Sequence, residues 1–226
     1  MKNKTFLFMI ILLLFGIKAN SQDRGASFGI RGGVTLQTFA GKDLTGDKLV
    51  LDLVPRFNAG VVLEIPIADA FRFQTGLMYA SKGAKSTSDF LGLLDMSAEY
   101  NLSYIEMPFN FLFKPALGNG YFLLGFGPYA AYGFAGKADL TVNNLSTEAD
   151  IVFADEYDGL NPLDWKYFKH FDYGGNIFVG YEMSSGLLIQ LNTQLGFAKI
   201  NSDNTLVSDE TEFMNIGYGI SLGFNF

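Results

Sequence analysis

Residues 219–223, Gly-Ile-Ser-Leu-Gly, place Ser221 in the G-x-S-x-G spacing of a serine-hydrolase nucleophile elbow. That motif needs a strand, a sharp turn and a helix, with the acid and the histidine following later in the chain. Only three residues follow Gly223, and His170, the single histidine, precedes the serine. The motif therefore lacks its required context, and we expect no catalytic residues and no enzyme activity.

A second candidate chemistry is metal binding in the segment 136–170, where carboxylates could suit Ca²⁺. The acidic residues are Asp139, Glu148, Asp150, Asp155, Glu156, Asp158 and Asp164, followed by Lys166, Lys169 and His170. Their spacing fits no EF-hand, so a solvated acidic surface is favoured, and no metal or cofactor is expected. With no cysteine, disulfides and thiolate-bound zinc are excluded.

The first residues have the pattern of a secretory signal peptide. Lys2 and Lys4 precede twelve apolar residues, 6–17, and small residues at Ala19 and Ser21 come before a cut at Gln22. We expect cleavage of residues 1–21, leaving 22–226 as one domain. The mature chain then carries 13 basic and 23 acidic residues, a net charge of −10, which argues against a nucleic-acid partner.

The rest of the chain alternates between two residue classes with period two, which predicts β-strands. In the last segment, Ile220, Leu222 and Phe224 share one face, while Gly219, Ser221 and Gly223 share the other. The predicted strands are 27–38, 56–67, 71–83, 100–114, 120–135, 171–183, 186–200 and 213–226.

The composition of the two faces indicates where they point. One face is a broad band of Phe, Leu, Ile, Val and Tyr, which would form a very large apolar patch in water. The other is mostly Gly, Asn, Gln, Ser and Thr, which suits a narrow hydrated interior. Each segment offers the 9–11 residues or so that a tilted strand needs to cross the hydrocarbon. The sequence therefore predicts an all-β fold, an eight-stranded antiparallel up-and-down transmembrane β-barrel.

The connections alternate in length. Segments 68–70, 117–120 and 184–186 are short, whereas 39–55, 84–99, 136–170 and 201–212 are long. Bacterial barrels have short periplasmic turns and longer outer loops. We therefore expect an outer-membrane location with both termini in the periplasm.

Several charged residues fall on the small-polar face by parity. Because an unpaired charge in a narrow lumen costs several kcal/mol, we expect these residues to pair and to block ion flow; individual hydration in a wider lumen is the alternative. They are Arg31, Glu64, Arg72, Glu106, Asp172 and Glu182.

The order and spacing of the strand motifs resemble the PorT-like outer-membrane β-barrel family. The motifs are "FGIRGGVTL" (28–36), "RFNAGVVLEIPI" (56–67), "FQTGLMYASKGAK" (73–85), "YIEMPFNFLFK" (104–114), "LGFGPYAAYG" (124–133), "FDYGGNIFVGYEM" (171–183) and "GYGISLGFNF" (217–226). The resemblance implies an integral outer-membrane barrel, and its namesake is linked to type IX protein export. Gly76 departs from the family, where many relatives place Glu. The resemblance also implies that Phe226, with Phe224 on the same face, is the aromatic end that the barrel assembly machinery reads.

These observations favour a structural or assembly component, or a partner in an export or surface complex, in contact with outer-membrane lipid and lipopolysaccharide. A small-molecule passage or surface ligand-binding barrel is the alternative. An outer-membrane lipid hydrolase using His170 and Ser103 near the outer rim is disfavoured. Segment 161–171 mixes aromatics with Lys, and it could contact lipopolysaccharide phosphates or a protein; an anchor at the membrane boundary is favoured.

Overall fold

The computed structural model describes residues 25–43, 46–90, 94–143, 145–157, 166–206 and 210–226, so the expected signal peptide, 1–21, lies outside the described residues. No helix in these ranges is long and apolar enough to cross a bilayer. The strands are β1 (Ser27–Lys42), β2 (Val54–Ala68), β3 (Phe71–Lys82), β4 (Lys85–Phe90), β5 (Leu94–Phe113), β6 (Ala116–Leu117), β7 (Gly120–Val142), β8 (Leu145–Asp150), β9 (Val152–Phe153), β10 (Glu156–Tyr157), β11 (Tyr167–Phe168), β12 (Phe171–Met183), β13 (Leu187–Gly196), β14 (Asp203–Asn204) and β15 (Glu212–Asn225).

Eight of these strands form a closed antiparallel ring. Going around it, β1 pairs with β2, β2 with β3, β3 with β5, β5 with β7, and β7 with β12. The ring continues through β13 and β15, and β15 pairs back onto β1. Every connection joins ring neighbours, so the predicted eight-stranded up-and-down barrel is confirmed.

The wall is apolar outside and polar inside. On β15, Tyr218, Ile220 and Leu222 are exposed, whereas Ser221 and Asn225 are buried. The same pattern holds around the barrel, where exposed Leu, Ile, Val and Phe side chains alternate with buried Gln, Asn, Thr and charged ones. Such an outer surface is stable in hydrocarbon rather than in water.

The two ends of the barrel differ. At the turn end the connections are tight, at Asp69–Ala70, Gly118–Asn119 and Ser184–Gly186. Both described termini lie there, because the Phe226 amide donates to the Phe28 carbonyl at 2.8 Å. The long connections are all at the opposite end, the loop end.

Several strands run further toward the loop end than the alternation predicts. β5 begins at Leu94 rather than 100, and β7 ends at Val142 rather than 135. β4 pairs with the added part of β5, and β8 pairs with the added part of β7, so loops 84–99 and 136–170 contain strands. The predicted strands end where the apolar band ends. Beyond the lipid belt the outer face of a strand meets water, so the ladder continues without the apolar signal.

The loops close the loop end with an apolar plug. Short parallel ladders join β9 to β11 and β10 to β14, which brings the loop after β8 against the loop after β13. The Lys169 amide donates to the Ile200 carbonyl at 2.7 Å, which fixes both segments of chain over the mouth. The plug consists of Phe39, Ala84, Tyr100, Leu102, Tyr104, Tyr129, Ala131, Ala138, Ile151, Phe168, Ala198 and Ile200.

Candidate functional site in the barrel lumen

Near the turn end, four charged side chains form a balanced cluster. Glu64 Oε1 lies 3.1 Å from Arg31 Nη2, and Glu64 Oε2 lies 3.0 Å from Lys114 Nζ. Lys114 Nζ also contacts Glu182 Oε2 at 2.6 Å. Asn225 Nδ2 donates to both carboxylates, at 3.2 Å and 2.5 Å. We call this the turn-end cluster; its two cations and two anions cancel.

Nearer the loop end, one ammonium group forms ion pairs with two carboxylates. Lys82 Nζ lies 2.8 Å from Glu106 Oε2 and 3.0 Å from Asp172 Oδ2, and none of the Lys82 surface is exposed. Tyr129 donates its hydroxyl to Asp172 at 3.2 Å, and Asn215 donates its amide to the same carboxylate at 2.9 Å. With Gln194, these residues form the loop-end cluster.

Gln194 links the loop-end cluster to the barrel wall. Its Nε2 donates to Glu106 Oε1 at 2.8 Å and to Asn176 Oδ1 at 2.9 Å. Lys82 Nζ also lies over the Tyr129 ring, 4.1 Å from its centroid. It also lies 5.4 Å from the Tyr104 centroid, so the ammonium is held by two anions and two aromatic faces.

A cavity of about 110 Å³ separates the two clusters. It is lined from one side by Arg31 and Asn110, and from the other by Glu106 and Gln194. Most of the remaining wall is amide or hydroxyl: Thr35, Gln37, Asn58, Gln74, Ser81, Asn176, Gln190, Asn192, Thr193 and Ser221. The two clusters and the apolar plug thus lie on either side of a polar space in the lumen.

Glycines on the inner face make room for these long side chains. Gly223 lies opposite Arg31 in the β1–β15 register, and a Cβ there would come 2.5 Å from Arg31 Cδ. Gly125 lies opposite Phe178, and a Cβ there would overlap the Phe178 ring. Gly125, which lies within β7, therefore makes room for the Phe178 ring.

The structure gathers most of the predicted lumen charges but not all. Arg31, Glu64 and Glu182 meet in the turn-end cluster, and Glu106 and Asp172 meet in the loop-end cluster. Arg72 stands apart: it is half-buried, and its register neighbours are Pro66 and Leu112. It forms no ion pair with a described residue, because it lies at the start of β3, beyond the carboxylates.

Sequence reasoning missed the two lysines that hold the clusters together. Lys82 shares parity with Gln74 on β3, and Lys114 shares parity with Glu106 and Asn110 on β5. Both lie at or just past the ends of their strands, where lysine normally reaches solvent. Their parity could have identified them, because it places both lysines on the inward face. An inward-pointing lysine in a narrow barrel has no solvent to reach and must find a carboxylate.

The candidate catalytic residues have other partners. Ser221 Oγ donates to Asn192 Oδ1 at 3.0 Å on the cavity wall. His170 lies at the loop end, where its ring stacks on Tyr132 with centroids 4.7 Å apart. His170 Nδ1 is 2.8 Å from the Gly133 carbonyl oxygen. Ser103 Oγ pairs with the Tyr79 hydroxyl at 2.9 Å, so these residues form no Ser–His hydrogen bond.

The acidic residues of segment 136–170 that the structure describes are spread over the loop end. Glu148 on β8 pairs with Lys137 at 2.6 Å, and this contact raises the pKa of the lysine. Asp158 and Asp164, with residues 161–165 of segment 161–171, lie outside the described residues. In the part that is described, no three His, Cys, Asp or Glu side chains converge in a way that could hold a metal ion.

One carboxylate at the loop end ties two loop segments together. Asp203 lies 2.6 Å from Lys169 Nζ and 2.7 Å from Lys199 Nζ. The hydrogen bond from Lys169, followed by that from Lys199, holds the pKa of Asp203 below its ordinary value. The charge on Asp203 therefore supports the fold of the loops over the barrel mouth.

The aromatic end of the chain lies on the outer wall at the turn end. The Phe226 side chain is 77% exposed, and its ring packs edge-on to Phe224 at 5.1 Å. The sequence-based role of these two residues in assembly stays a prediction, and the terminal ring is accessible from outside the barrel.

The sequence matches a family model described as outer membrane protein β-barrel domain over residues 19–202. No protein of curated function matches it. Similar solved structures include the attachment invasion locus protein Ail of Yersinia pestis, at 11% identity and a TM-score of 0.38, covering 89% of this chain and 99% of that one. Neisserial surface protein A is 10% identical, with a TM-score of 0.45 and coverages of 89% and 99%. OprG of Pseudomonas aeruginosa is 14% identical, with a TM-score of 0.40 and coverages of 90% and 97%.

Proposed function

Because this chain belongs to the outer membrane protein β-barrel domain family, we propose that it is a closed, non-enzymatic barrel that acts as a partner in an envelope complex. One observation carries the proposal: two ion clusters and an apolar plug fill the lumen, and the cavity between them is only about 110 Å³. A barrel without a through channel must act through its surfaces.

The loop end is the surface proposed to meet partners. The ladder of β4, β5, β7 and β8 extends past the apolar belt there, and among the described strands β8 pairs only with β7. Binding segments are often carried on loops above a rigid scaffold. In the proposed orientation the turn end and both termini face the periplasm, and the loop end faces outward beside lipopolysaccharide.

The finer assignment rests on the resemblance to PorT-like proteins, which favours a role in type IX protein export to the cell surface. Phe226 and Phe224 would direct delivery by the barrel assembly machinery. Both assignments concern the partners of the barrel, and both are compatible with a closed lumen.

Planar-bilayer recording tests the closed lumen. Purified, refolded protein should insert without a steady open conductance, while a general porin in the same bilayers provides the positive control. A large, steady, ohmic conductance would overturn the proposal and favour the alternative, a barrel for small-molecule passage.

Site-specific photo-cross-linking in the native envelope tests the proposed surface. A cross-linker at Ser146 on β8 should capture a defined protein partner in stoichiometric yield. The matched controls are Asn119 at the turn end and Leu191 on the lipid-facing wall. Equal or absent capture from all three positions would contradict a loop-end partner site.

The absence of enzyme activity is also part of the proposal. The contacts of His170 with Gly133, and of Ser103 with Tyr79, support it, because each candidate group is already engaged by another residue. Replacing His170 by Ala should leave the lipid A of the cells unchanged. Altered acylation of lipid A in this variant would restore the hydrolase hypothesis.

A further inference from the structure

The charges of the loop-end cluster do not balance. The turn-end cluster has Arg31 and Lys114 against two carboxylates, but the loop-end cluster has only Lys82 against Glu106 and Asp172. One surplus negative charge is therefore buried beside the cavity. An uncompensated buried charge costs several kcal/mol, so it must gain a counter-charge or a proton.

Among the fully buried side-chain atoms of the cavity wall, more acceptors than donors lack a hydrogen-bond partner. Gln37 Oε1 and Asn110 Oδ1 are buried without a hydrogen-bond partner, and both residues are only 3% exposed. Glu106 Oε2, although 2.8 Å from Lys82 Nζ, makes no hydrogen bond of good geometry. Against these three oxygens, Arg31 Nε is the single fully buried donor without a hydrogen-bond partner among the described cavity residues.

We propose that the central cavity binds a small monovalent cation beside Glu106, together with a few water molecules. Carboxylate and amide oxygens are suitable ligands for hard cations. One positive charge cancels the surplus, whereas a divalent ion would reverse it and an anion would increase it. The volume of about 110 Å³ accommodates the ion and a few waters, since each water occupies about 30 Å³.

The position of Lys82 explains why the protein does not supply this charge itself. Its ammonium is fixed between Asp172 and Glu106 and over the Tyr129 ring, so it cannot move into the cavity. Waters then bridge the ion to the more distant Gln37 and Asn110. The inference rests on the closed lumen of the proposed function, because only an enclosed charge requires a bound counter-ion.

Refolding in detergent with a single salt tests the site. The chain is refolded in sodium, potassium or rubidium chloride, or in N-methylglucamine chloride of equal ionic strength, whose cation is too large for the cavity. At least one of the small cations should raise Tm by about 3–5 °C in a saturable way. Identical Tm values in all four salts would overturn the proposal and indicate that Glu106 is neutralised by a proton.

Two variants separate a bound ion from general salt effects. Glu106→Gln removes the surplus charge, so its Tm should no longer depend on the cation. Asp203→Asn removes an exposed carboxylate at the loop end and should keep the full dependence of the wild type. A Glu106→Gln protein that responds like the wild type would contradict the site.

A crystal grown in the chloride of the cation that raises Tm most gives a test that needs no variant. Density for that ion beside Glu106 supports the site, and water alone in the cavity overturns it. The outcome is separable from that of the bilayer recording: a silent barrel without cation dependence removes only this inference, whereas a conducting barrel removes the proposed function.

Discussion

Lys82 is fully buried inside the barrel and pairs with two carboxylates. It has no exposed surface, and its ammonium contacts two carboxylates at 2.8 Å and 3.0 Å. Lys137 makes an ion pair of the same chemistry with Glu148, but both of those side chains are more than half exposed. Both are ion pairs of a lysine with carboxylate groups, and they differ mainly in how deeply they are buried.

We predict that Lys82→Met lowers the free energy of unfolding by about 3–5 kcal/mol, because two buried carboxylates lose their cation. Lys137→Met should change it by no more than about 1 kcal/mol, since exposed pairs contribute little. Urea titration of the refolded proteins in lipid vesicles measures both. Similar losses in the two variants would show that the loop-end cluster is hydrated rather than buried.

At the scale of the strands, packing inside the ring depends on glycines facing inward. A Cβ at Gly125 would overlap the Phe178 ring, whereas a Cβ at Gly32, which faces outward, would meet nothing closer than the Asn58 carbonyl oxygen at 3.8 Å. Both glycines lie in regular antiparallel strands, so they differ mainly in which side of the wall they face.

Gly125→Ala should therefore destabilise the barrel by about 1–3 kcal/mol through overpacking. Gly32→Ala should be neutral or slightly stabilising, because the new methyl group meets no close neighbour and the unfolded chain loses freedom. The free energy of unfolding is measured by denaturant titration, in which folded and unfolded protein are separated as two bands on a gel. If Gly32→Ala destabilised the barrel more than Gly125→Ala, the inner and outer faces would be assigned wrongly.

The loop cap depends on pH through Asp203. Because its pKa in the folded state lies below the unfolded value of about 4, its stabilising effect is complete above that value. The effect is lost as the pH falls through the folded pKa. We predict that protection of the amides in 197–206 against hydrogen exchange is constant from pH 7 to about 5, after correction for intrinsic rates.

Below about pH 4 the protection of this segment should fall in the wild-type protein. Asp203→Asn should show low protection already at neutral pH and no further acid step. An acid step of equal size in that variant would assign the pH dependence to another carboxylate.

At the scale of the whole molecule, the barrel closes where the last strand, β15, pairs with the first strand, β1. The Phe226 amide completes the ladder with Phe28, while its ring points away from the barrel. The backbone of Phe226 therefore belongs to the fold, and its side chain is exposed on the outer wall, where the proposed assembly machinery would contact it.

Phe226→Ala should reduce the amount of protein in the outer membrane several-fold and leave refolding in detergent unchanged. Phe197→Ala is the matched control, because Phe197 is also an exposed aromatic on the outer wall. Quantitative immunoblots of outer-membrane fractions measure the difference. Equal levels of the two variants would exclude a special role for the terminal ring.

The sequence by itself determined the barrel, its strand number and the direction of its two faces. These follow from a period of two, which each strand displays through its own residues, as in the alternation of Tyr218, Ile220 and Leu222 with glycines and Ser221. The alternation also separates inward from outward charges without knowledge of neighbours.

Only the tertiary structure decided which inward groups meet. Glu64 and Asn225 are 161 positions apart, yet they share a hydrogen bond because β15 closes on β1. Phe168 enters the plug from a loop whose residues show no alternation. Pairing inside a closed ring depends on register, strand tilt and loop folding, which are properties of many residues together, so the balance of charge in the lumen became visible only once the ring was closed.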